Sequence, residues 1–362
     1  LVPGAPGEGQ IADAIAARLR AFGMDVEIQE VVAGRPNVIG VLEGRAPGPS
    51  LMFCGHIDTV GVEGMSRPFD PVVREGRLYG RGSQDMKGGV AAMMDAARLV
   101  ARDGLAAGRL IVAAVIDEEY ESLGADALVT RWTADAAVVT EPTDLQIAVG
   151  HKGFAWFEVE TRGIAAHGSR PLEGRDAILR MGRVLGALEA LNLDLARRAP
   201  HPLMGVASLH ASLIDGGREL SSYPDRCRLR YERRTIAGET DAAVEQELAA
   251  IVDALRAADG EFEGRYRRLF SRPCYEIAES HPLPQALSRA VASTGARAPF
   301  TSMTFWTDAA VLGAAGTPSV LYGPGGAGLH SVEEYVRIDD VIACRDALAA
   351  LVREWQVRTQ GE

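Results

Sequence analysis

The chain has 362 residues and carries 38 Lys plus Arg against 49 Asp plus Glu, so its formal net charge is −11. This length predicts two domains, and the hydrophobic share of 47% is ordinary for a globular protein. Net acidity, without a basic stretch interleaved with aromatic residues, argues against a nucleic-acid partner, and no apolar run approaches the ~18 residues of a membrane span.

The first part of the chain alternates predicted helices with short apolar runs. Apolar residues spaced three and four apart predict a helix over 11–22, and a Gly-Gly pair at 88–89 opens another that ends near Asp103. Continuous apolar runs between such helices are typical of a sheet covered on both faces. The runs lie at 37–43, 51–54, 109–116 and 136–139.

After Lys152 the pattern changes to strands that alternate only in part and are separated by long helices. This order predicts a small α+β layer with its helices on one face. The strands are predicted at 154–161, 205–214, 226–233 and 263–270, and the helices at 176–197 and 241–258.

The earlier pattern returns after Pro273, with helices over 284–293 and 341–355 and a strand over 319–322. The predicted fold class is therefore α/β, with a mixed, mostly parallel sheet between helices. The catalytic domain is predicted at 1–152 and 271–362, interrupted by an inserted α+β domain at 153–270.

The sequence begins at Leu1 and shows no charged segment followed by an apolar one, so no signal peptide is visible. Its four cysteines are scattered and form no CxxC pair. This usage predicts a cytoplasmic protein and argues against a disulfide framework or a thiolate metal site.

His56 and Asp58 follow the apolar run at 51–54. Ligands bind beyond the carboxyl ends of strands in open α/β sheets, so His56 is a candidate metal ligand. Asp58 is a candidate partner for the second ring nitrogen. Taken alone, the pair is equally compatible with a turn histidine bonded to a nearby carboxylate.

Asp85 lies in the glycine-rich segment 80–89, just ahead of a predicted helix. The glycines permit tight backbone geometry, and Asp85 alone could be a helix N-cap. The pattern does not fit a phosphate-binding loop, because neither GxxxxGK[ST] nor GxGxxG is present.

Three consecutive carboxylates, Asp117, Glu118 and Glu119, follow the apolar run at 109–116. Like charges repel where the dielectric is low, so the cluster predicts either a solvated turn or a cationic centre. In the second case one carboxylate could ligate a metal while its neighbour takes a proton from an activated water.

Two further candidate ligands follow an apolar run and a glycine-rich loop. Glu141 comes after the run at 136–139, where a simple strand-end turn is the alternative. His330 follows a glycine-rich loop at 323–328, which lacks the downstream acid of a dinucleotide loop. Together, two histidines and several carboxylates without thiolate predict a two-metal hydrolytic zinc site.

The order of these motifs resembles the di-zinc amidohydrolases and exopeptidases, a family that contains acetylornithine deacetylase, succinyl-diaminopimelate desuccinylase, aminoacylase and glutamate carboxypeptidase. The resemblance covers nearly the whole chain. It rests on His-x-Asp at 56–58, Gly-Arg-Gly-x-x-Asp-x-Lys-Gly-Gly at 80–89, Asp-Glu-Glu at 117–119, Glu-Pro-Thr at 141–143 and Gly-Leu-His-Ser-Val-Glu-Glu at 328–334.

The resemblance implies a role for each matched residue, and a cis peptide after Asp85. Asp58 would orient the neighbouring histidine, and Glu118 would be the general base. The cofactors implied are two Zn²⁺ ions, with Co²⁺ or Mn²⁺ as substitutes. One zinc would be bound by His56 and Glu141, the other by Glu119 and His330, with Asp85 bridging both.

The inserted domain resembles the family's lid and dimerisation domain, which implies a homodimer. His167 matches the family's histidine loop and would reach the partner subunit's active site to stabilise the oxyanion. Arg234 matches an acid-x-Arg strand, and Arg272 matches the arginine at the lid's return hinge. Either arginine could clamp a substrate carboxylate or form a structural ion pair instead.

Two departures from the family pattern concern the substrate. Ser221 stands where the family usually has Asn, and Trp306 replaces a glycine of its Gly-Gly-Thr-Asp segment. Both changes leave the predicted metal ligands intact. Trp306 is expected to narrow the substrate pocket or to line it with an aromatic ring.

The predicted function is hydrolysis of the amide bond of a small N-acyl amino acid by metal-activated water, with Glu118 as the base. A dipeptidase or carboxypeptidase on the same di-zinc site is the alternative. A non-catalytic binding protein on this fold is a more distant one.

Overall fold

The structure is a computed structural model and describes residues 7–357. The chain divides into two compact units. No helix within residues 7–357 is both long and apolar enough to cross a membrane. Unit 1 comprises Leu1–Gly150, Glu276–Met303 and Thr307–Glu362, and unit 2 comprises His151–Tyr275 and Thr304–Trp306.

Within the described residues the helices are α1 (Gly9–Ala21), α2 (Gly88–Asp103), α3 (Leu123–Val129), α4 (Ala177–Leu195), α5 (Asp241–Ala258), α6 (Pro282–Ser293), α7 (Ala309–Ala314) and α8 (Ile338–Val357). Side-chain caps define the start of α4, α5 and α6. Asp176 accepts the N–H of Leu179 at 2.9 Å ahead of α4, and Thr240 accepts the N–H of Ala243 at 3.2 Å ahead of α5. Such caps satisfy donors that the first turn leaves without a partner.

Strands provide the frame of both units. They are β1 (Asp25–Val32), β2 (Arg35–Glu43), β3 (Ser50–His56), β4 (Val72–Arg74), β5 (Arg77–Tyr79), β6 (Arg109–Val115), β7 (Ala136–Val139), β8 (Ile147–His151), β9 (Gly153–Arg162), β10 (Ser208–Gly216), β11 (Arg226–Thr235), β12 (Glu263–Arg272), β13 (Tyr275–Glu276), β14 (Phe300–Met303), β15 (Ser319–Leu321), β16 (Gly326–Ala327) and β17 (Tyr335–Arg337).

The large sheet has the order β1-β2-β6-β3-β7-β15-β8-β13, with β14 paired to β8. Its centre is parallel, since β3 pairs in parallel with β6 and β7, and β7 pairs in parallel with β15. The predicted α/β class with a mixed sheet is confirmed. Antiparallel pairs flank this centre, since β1 and β2 form an antiparallel hairpin, β2 runs antiparallel to β6, and β15 pairs antiparallel with β8.

A second sheet of unit 1 has the order β16-β17-β5-β4. The sequence did not predict it, because its strands are only two or three residues long. Strands this short leave no periodic pattern to detect.

Unit 2 is built on a sheet of order β10-β11-β9-β12, in which neighbouring strands are antiparallel. Its core lies between the sheet and the two long helices α4 and α5. Phe157 and Leu229 come from the sheet, and Val184 and Leu248 come from the helices. Side chains alternate between the two faces of a strand, so the face opposite the core carries charged residues of these strands.

Candidate metal centre

Candidate ligands gather where the central parallel strands of unit 1 end. His56 is the last residue of β3 and lies in register with Val115, the last residue of β6. Glu118 and Glu119 follow β6 within a few residues, and Glu141 follows β7 in the same way. Because parallel strands end at the same edge of a sheet, these side chains are brought together.

Asp85 and His330 come from loops instead. Asp85 lies at a kink within Ser83–Lys87, where its backbone angles are not helical, and it precedes a cis peptide bond, as the resemblance implied. His330 lies between β16 and β17 with a φ of 56°, a left-handed conformation that few non-glycine residues adopt. The site therefore depends on loop packing as well as on the sheet.

Asp85 faces both histidines. Its Oδ1 lies 3.0 Å from Nε2 of His56, and its Oδ2 lies 3.3 Å from Nε2 of His330. Two groups of candidate ligand atoms share this carboxylate, and within each group the atoms lie within 4.8 Å of one another. The groups are His56, Asp85 and Glu141, and Asp85, Glu119 and His330.

Asp58 is buried and holds three groups at once. Its Oδ1 lies 3.3 Å from Nδ1 of His56 and accepts the N–H of Glu118 at 3.2 Å. Its Oδ2 accepts the N–H of Glu119 at 3.1 Å. Burial opposes the charged form of Asp58, but the contact with His56 and the N–H of Glu119 keep its pKa below the usual range. A carboxylate held in this way orients the ring of His56 toward Asp85.

The carboxylates also act on the two histidines. Burial lowers the pKa of His56, but the carboxylates of Asp58 and Asp85 beside its two ring nitrogens outweigh burial and raise the pKa well above its ordinary value. Hydrogen bonds to Asp85 and Glu119 raise the pKa of His330 to about 10. The cluster therefore attracts positive charge, as protons on the imidazoles or as divalent cations.

Glu118 lies beside the cluster but belongs to neither ligand group. Its Oε2 is 3.9 Å from Nε2 of His56. Burial raises the pKa of Glu118 well above its ordinary value; the charge of His56 opposes this shift, and the charges of Glu141 and Asp308 add to it. A carboxylate with a raised pKa suits proton transfer near neutral pH.

The residues present fit a pair of divalent cations. Their donor atoms are imidazole nitrogens and carboxylate oxygens, a set that suits zinc. The buried Oε1 of Glu119 has no hydrogen-bond partner among residues 7–357. Buried polar atoms nearly always have a partner, so this oxygen indicates a ligand from outside the chain.

His167 and Arg234 lie in unit 2, each with a polar neighbour. His167 is exposed, and its Nδ1 accepts the N–H of Ser169 at 3.2 Å. Arg234 donates from Nε to Glu232 at 2.6 Å and lies over the ring of Phe154. The ion pair that the sequence left open for Arg234 is therefore present.

Arg272 also lies in unit 2, between aromatic rings. Its guanidinium carbon is 5.3 Å from the ring centre of Phe270 and 5.5 Å from that of Trp306. Trp306 is buried and donates from Nε1 to the carbonyl of Pro273 at 3.0 Å. The tryptophan that departs from the family pattern thus packs on a predicted substrate arginine.

Sequence reasoning gave no role to Asp308, although it lies in a segment that matched the family. This aspartate is buried, and its charge raises the pKa of both Glu118 and Glu141. The Thr-Asp pair at 307–308 was the available signal. Asp308 therefore adds to the negative charge that a cation would balance.

Arg35 anchors the loop that carries Glu118 and Glu119. It donates to both oxygens of Glu8 at 2.7 Å and to Oδ1 of Asp117 at 2.7 Å. Arg35 lies 27 positions from Glu8 and 82 from Asp117. No local pattern indicates contacts at such separations, so the sequence carried no signal for this network.

Comparison with known proteins places the chain among hydrolases. The family model described as Peptidase family M20/M25/M40 matches residues 52–354. An acetylornithine deacetylase from Myxococcus xanthus is 32% identical, over 94% of this chain and 91% of its own. An N-formyl-4-amino-5-aminomethyl-2-methylpyrimidine deformylase from Bacillus subtilis (strain 168) is 28% identical, over 96% of this chain and 89% of its own.

The crystal structure of a tripeptidase from Staphylococcus aureus shares the fold. Its TM-score is 0.82 at 19% identity, covering 96% of this chain and 92% of that chain. A sequence identity this low supports a shared fold and nothing more. The family model, in contrast, matches most of the sequence and therefore shows family membership. The chain therefore belongs to Peptidase family M20/M25/M40 and is a metal-dependent hydrolase of amide bonds.

Proposed function

We propose that this chain is a zinc-dependent hydrolase that removes a small acyl group from an N-acyl amino acid. The observation that carries the proposal is the pair of ligand groups sharing Asp85, with Glu118 beside them and in neither. The similarity to a deacetylase and a deformylase supports a small acyl group over a peptide.

The metal ligands we propose are those that converge in unit 1. When bound, two zinc ions would polarise the scissile carbonyl and lower the pKa of the attacking water. Co²⁺ and Mn²⁺ are proposed substitutes, because both accept the same nitrogen and oxygen donors. His56 and Glu141 would hold one ion, and Glu119 and His330 would hold the other. Asp85 would bind both ions.

Glu118 is the proton carrier in this proposal. Its carboxylate accepts a proton from the water whose oxygen bonds to the carbonyl carbon. It then gives the proton to the leaving nitrogen as the C–N bond breaks, so no proton is lost overall. Asp58 keeps His56 in place and holds the backbone N–H of Glu118, which fixes the position of the base.

We propose unit 2 as a lid that joins two chains into a homodimer. Strand β10 is an edge of its sheet and is mostly exposed, and it carries the exposed apolar side chains of Leu213 and Ile214. An exposed edge with apolar side chains can pair with a second copy. His167 would then stabilise the oxyanion in the active site of the partner chain.

Arg234 or Arg272 is proposed to bind the substrate carboxylate, because a guanidinium can hold both of its oxygens. The aromatic rings around Arg272 restrict where its guanidinium can lie. We also propose a cytoplasmic location, which the four free cysteines support.

A substrate screen on metal-loaded protein tests the function. We expect turnover of N-acetyl, N-formyl or N-succinyl amino acids, loss of that turnover after a strong chelator, and its return with Zn²⁺ or Co²⁺. Turnover of dipeptides alone would favour the peptidase alternative. Absence of both bound metal and turnover would favour a binding protein.

A further inference from the structure

Glu334 is a buried carboxylate that the proposed mechanism does not use. It is 1% exposed. Its Oε1 accepts the N–H groups of Gln84 and Asp85 at 2.9 and 3.1 Å. Its Oε2 accepts the N–H of Gly82 at 3.0 Å and Nη1–H of Arg81 at 2.6 Å. Four donors from one segment thus compensate a charge whose burial would otherwise be costly.

These hydrogen bonds join two loops. Glu334 lies in the loop that carries His330, and all four donors lie in the segment that carries Asp85. Arg81 reinforces the junction by donating from Nη2 to the carbonyl of Ser331 at 3.0 Å. The backbone positions of Asp85 and His330 are therefore coupled through one side chain.

The two ligand groups depend on this junction to different degrees. The group of Asp85, Glu119 and His330 takes two of its members, Asp85 and His330, from these loops. The group of His56, Asp85 and Glu141 takes only Asp85 from them. His56 ends a strand inside the large sheet, whose hydrogen bonds hold it. The side chain of His330 is 55% exposed, so packing restrains it less.

We infer that Glu334 is a positioning residue for the Asp85–Glu119–His330 group and sets its affinity for a divalent cation. The inference rests on the proposed metal centre. A residue that only stabilised the fold would weaken both cation sites alike when removed. Removal of a residue that positions this group weakens the cation affinity of this group more than that of the other, because the hydrogen-bond partners of metal ligands set that affinity.

Calorimetric titration of the metal-free full chain with Zn²⁺ alone tests the inference. We expect wild type to bind two ions per chain in separate steps. Glu334→Gln is expected to weaken one step by about 10–100-fold and to weaken the other step less, because Asp85 belongs to both groups. His330→Ala identifies the step that belongs to its group. Glu333→Gln, a change at the exposed neighbouring residue, is the matched control and should titrate like wild type.

Several results would overturn the inference. If Glu334→Gln binds both ions with wild-type affinity, the inference is wrong and the proposed function stands. The same holds if both steps are weakened by the same factor. A wild-type chain that binds no Zn²⁺ would overturn the proposed function as well. If circular dichroism shows that Glu334→Gln does not fold, Arg81→Lys replaces it, with smaller weakening expected at the same step.

Discussion

Carboxylates outnumber histidines in the cluster of unit 1, and each has a different neighbour. Asp85 faces two imidazoles, Asp58 accepts backbone N–H groups, and Glu118 lies next to the ligands without joining them. The same side-chain chemistry therefore suits the proposed roles of bridge, support or base according to position. At the residue scale, function follows from which atoms surround each carboxylate.

Glu118→Gln tests the proposed general base directly. The substitution keeps shape but cannot accept a proton, so turnover should fall by about 10²–10⁴-fold with bound metal retained. Steady-state kinetics and metal analysis of the same preparation measure both effects. Glu63→Gln, at an exposed position of unit 1, should leave both unchanged. Near-full turnover in Glu118→Gln would show that the base is another group.

His151 is a buried imidazole outside the site. Its Nδ1 lies 2.9 Å from the carbonyl of Lys152 and donates to it, and its Nε2 has no hydrogen-bond partner among the described residues. Burial lowers the pKa of His151 to about 4. The folded chain therefore excludes a proton that the unfolded chain binds below its ordinary pKa of 6.5.

The free energy of unfolding should consequently fall as the pH drops from 6.5 toward 4. This single histidine contributes up to about 3 kcal/mol of that loss, and His151→Gln should remove the contribution. Urea unfolding across this range, with chelator present, compares the two proteins. His210→Gln, at an exposed histidine, should keep the wild-type dependence. Parallel curves for wild type and His151→Gln would contradict the prediction.

Helix α2 approaches the end of strand β7 at Gly89. A Cβ placed on Gly89 would lie 1.9 Å from the carbonyl oxygen of Thr140, the residue before Glu141. Only glycine permits this approach of helix and strand. At the element scale, the position of Glu141 after β7 thus depends on the absence of a side chain at Gly89 in α2.

Gly89→Ala should lower the free energy of unfolding by about 1–3 kcal/mol, because the helix must move away from the strand. Gly186→Ala is the matched control. Gly186 lies within α4 with nothing within 4 Å of its Cβ position, so alanine should stabilise by about 0.5–1 kcal/mol. Denaturant unfolding measures both, and shifts of the same sign would contradict the packing argument.

Charge is distributed unequally over the whole molecule. Unit 2 is close to neutral by residue count, so the net charge of −11 resides in unit 1, which contains the cluster. Cations bound at the cluster would neutralise part of this excess. Unit 2 has instead the exposed edge strand that we propose as an interface.

Charged substitutions on the edge strand β10 test the proposed homodimer. Leu213→Glu with Ile214→Lys should convert a dimer into a monomer, because charged side chains on an edge strand prevent pairing with another strand. Sedimentation velocity measures the change. Val73→Glu is the control, since Val73 lies in unit 1 and is as exposed as Leu213, at 62%. A monomeric wild type would contradict the proposed dimer.

Mixing two inactive variants tests whether subunits share a site. If His167 serves the partner's site, Glu118→Gln and His167→Ala chains should form mixed dimers with one intact site each. After exchange, about a quarter of the wild-type activity should return, because half of the dimers are mixed. No recovery, with exchange verified, would place His167 in its own chain's site.

Much of the fold was accessible from the sequence. Helices such as α5 and the buried strands β3 and β6 were predicted because hydrophobic periodicity is local and survives folding. The short strands β16 and β17 were not predicted, since a few residues carry no period. They nevertheless flank the loop that carries His330.

The sequence by itself determined the α/β class and the chemical identity of the candidate ligands, because both depend on residue types at short spacing. Tertiary structure decided which loops meet. Glu334 reaches the segment that carries Asp85 from 249 positions away, and Arg35 connects Glu8 with Asp117. Such contacts depend on how distant segments pack, and no local pattern encodes that packing.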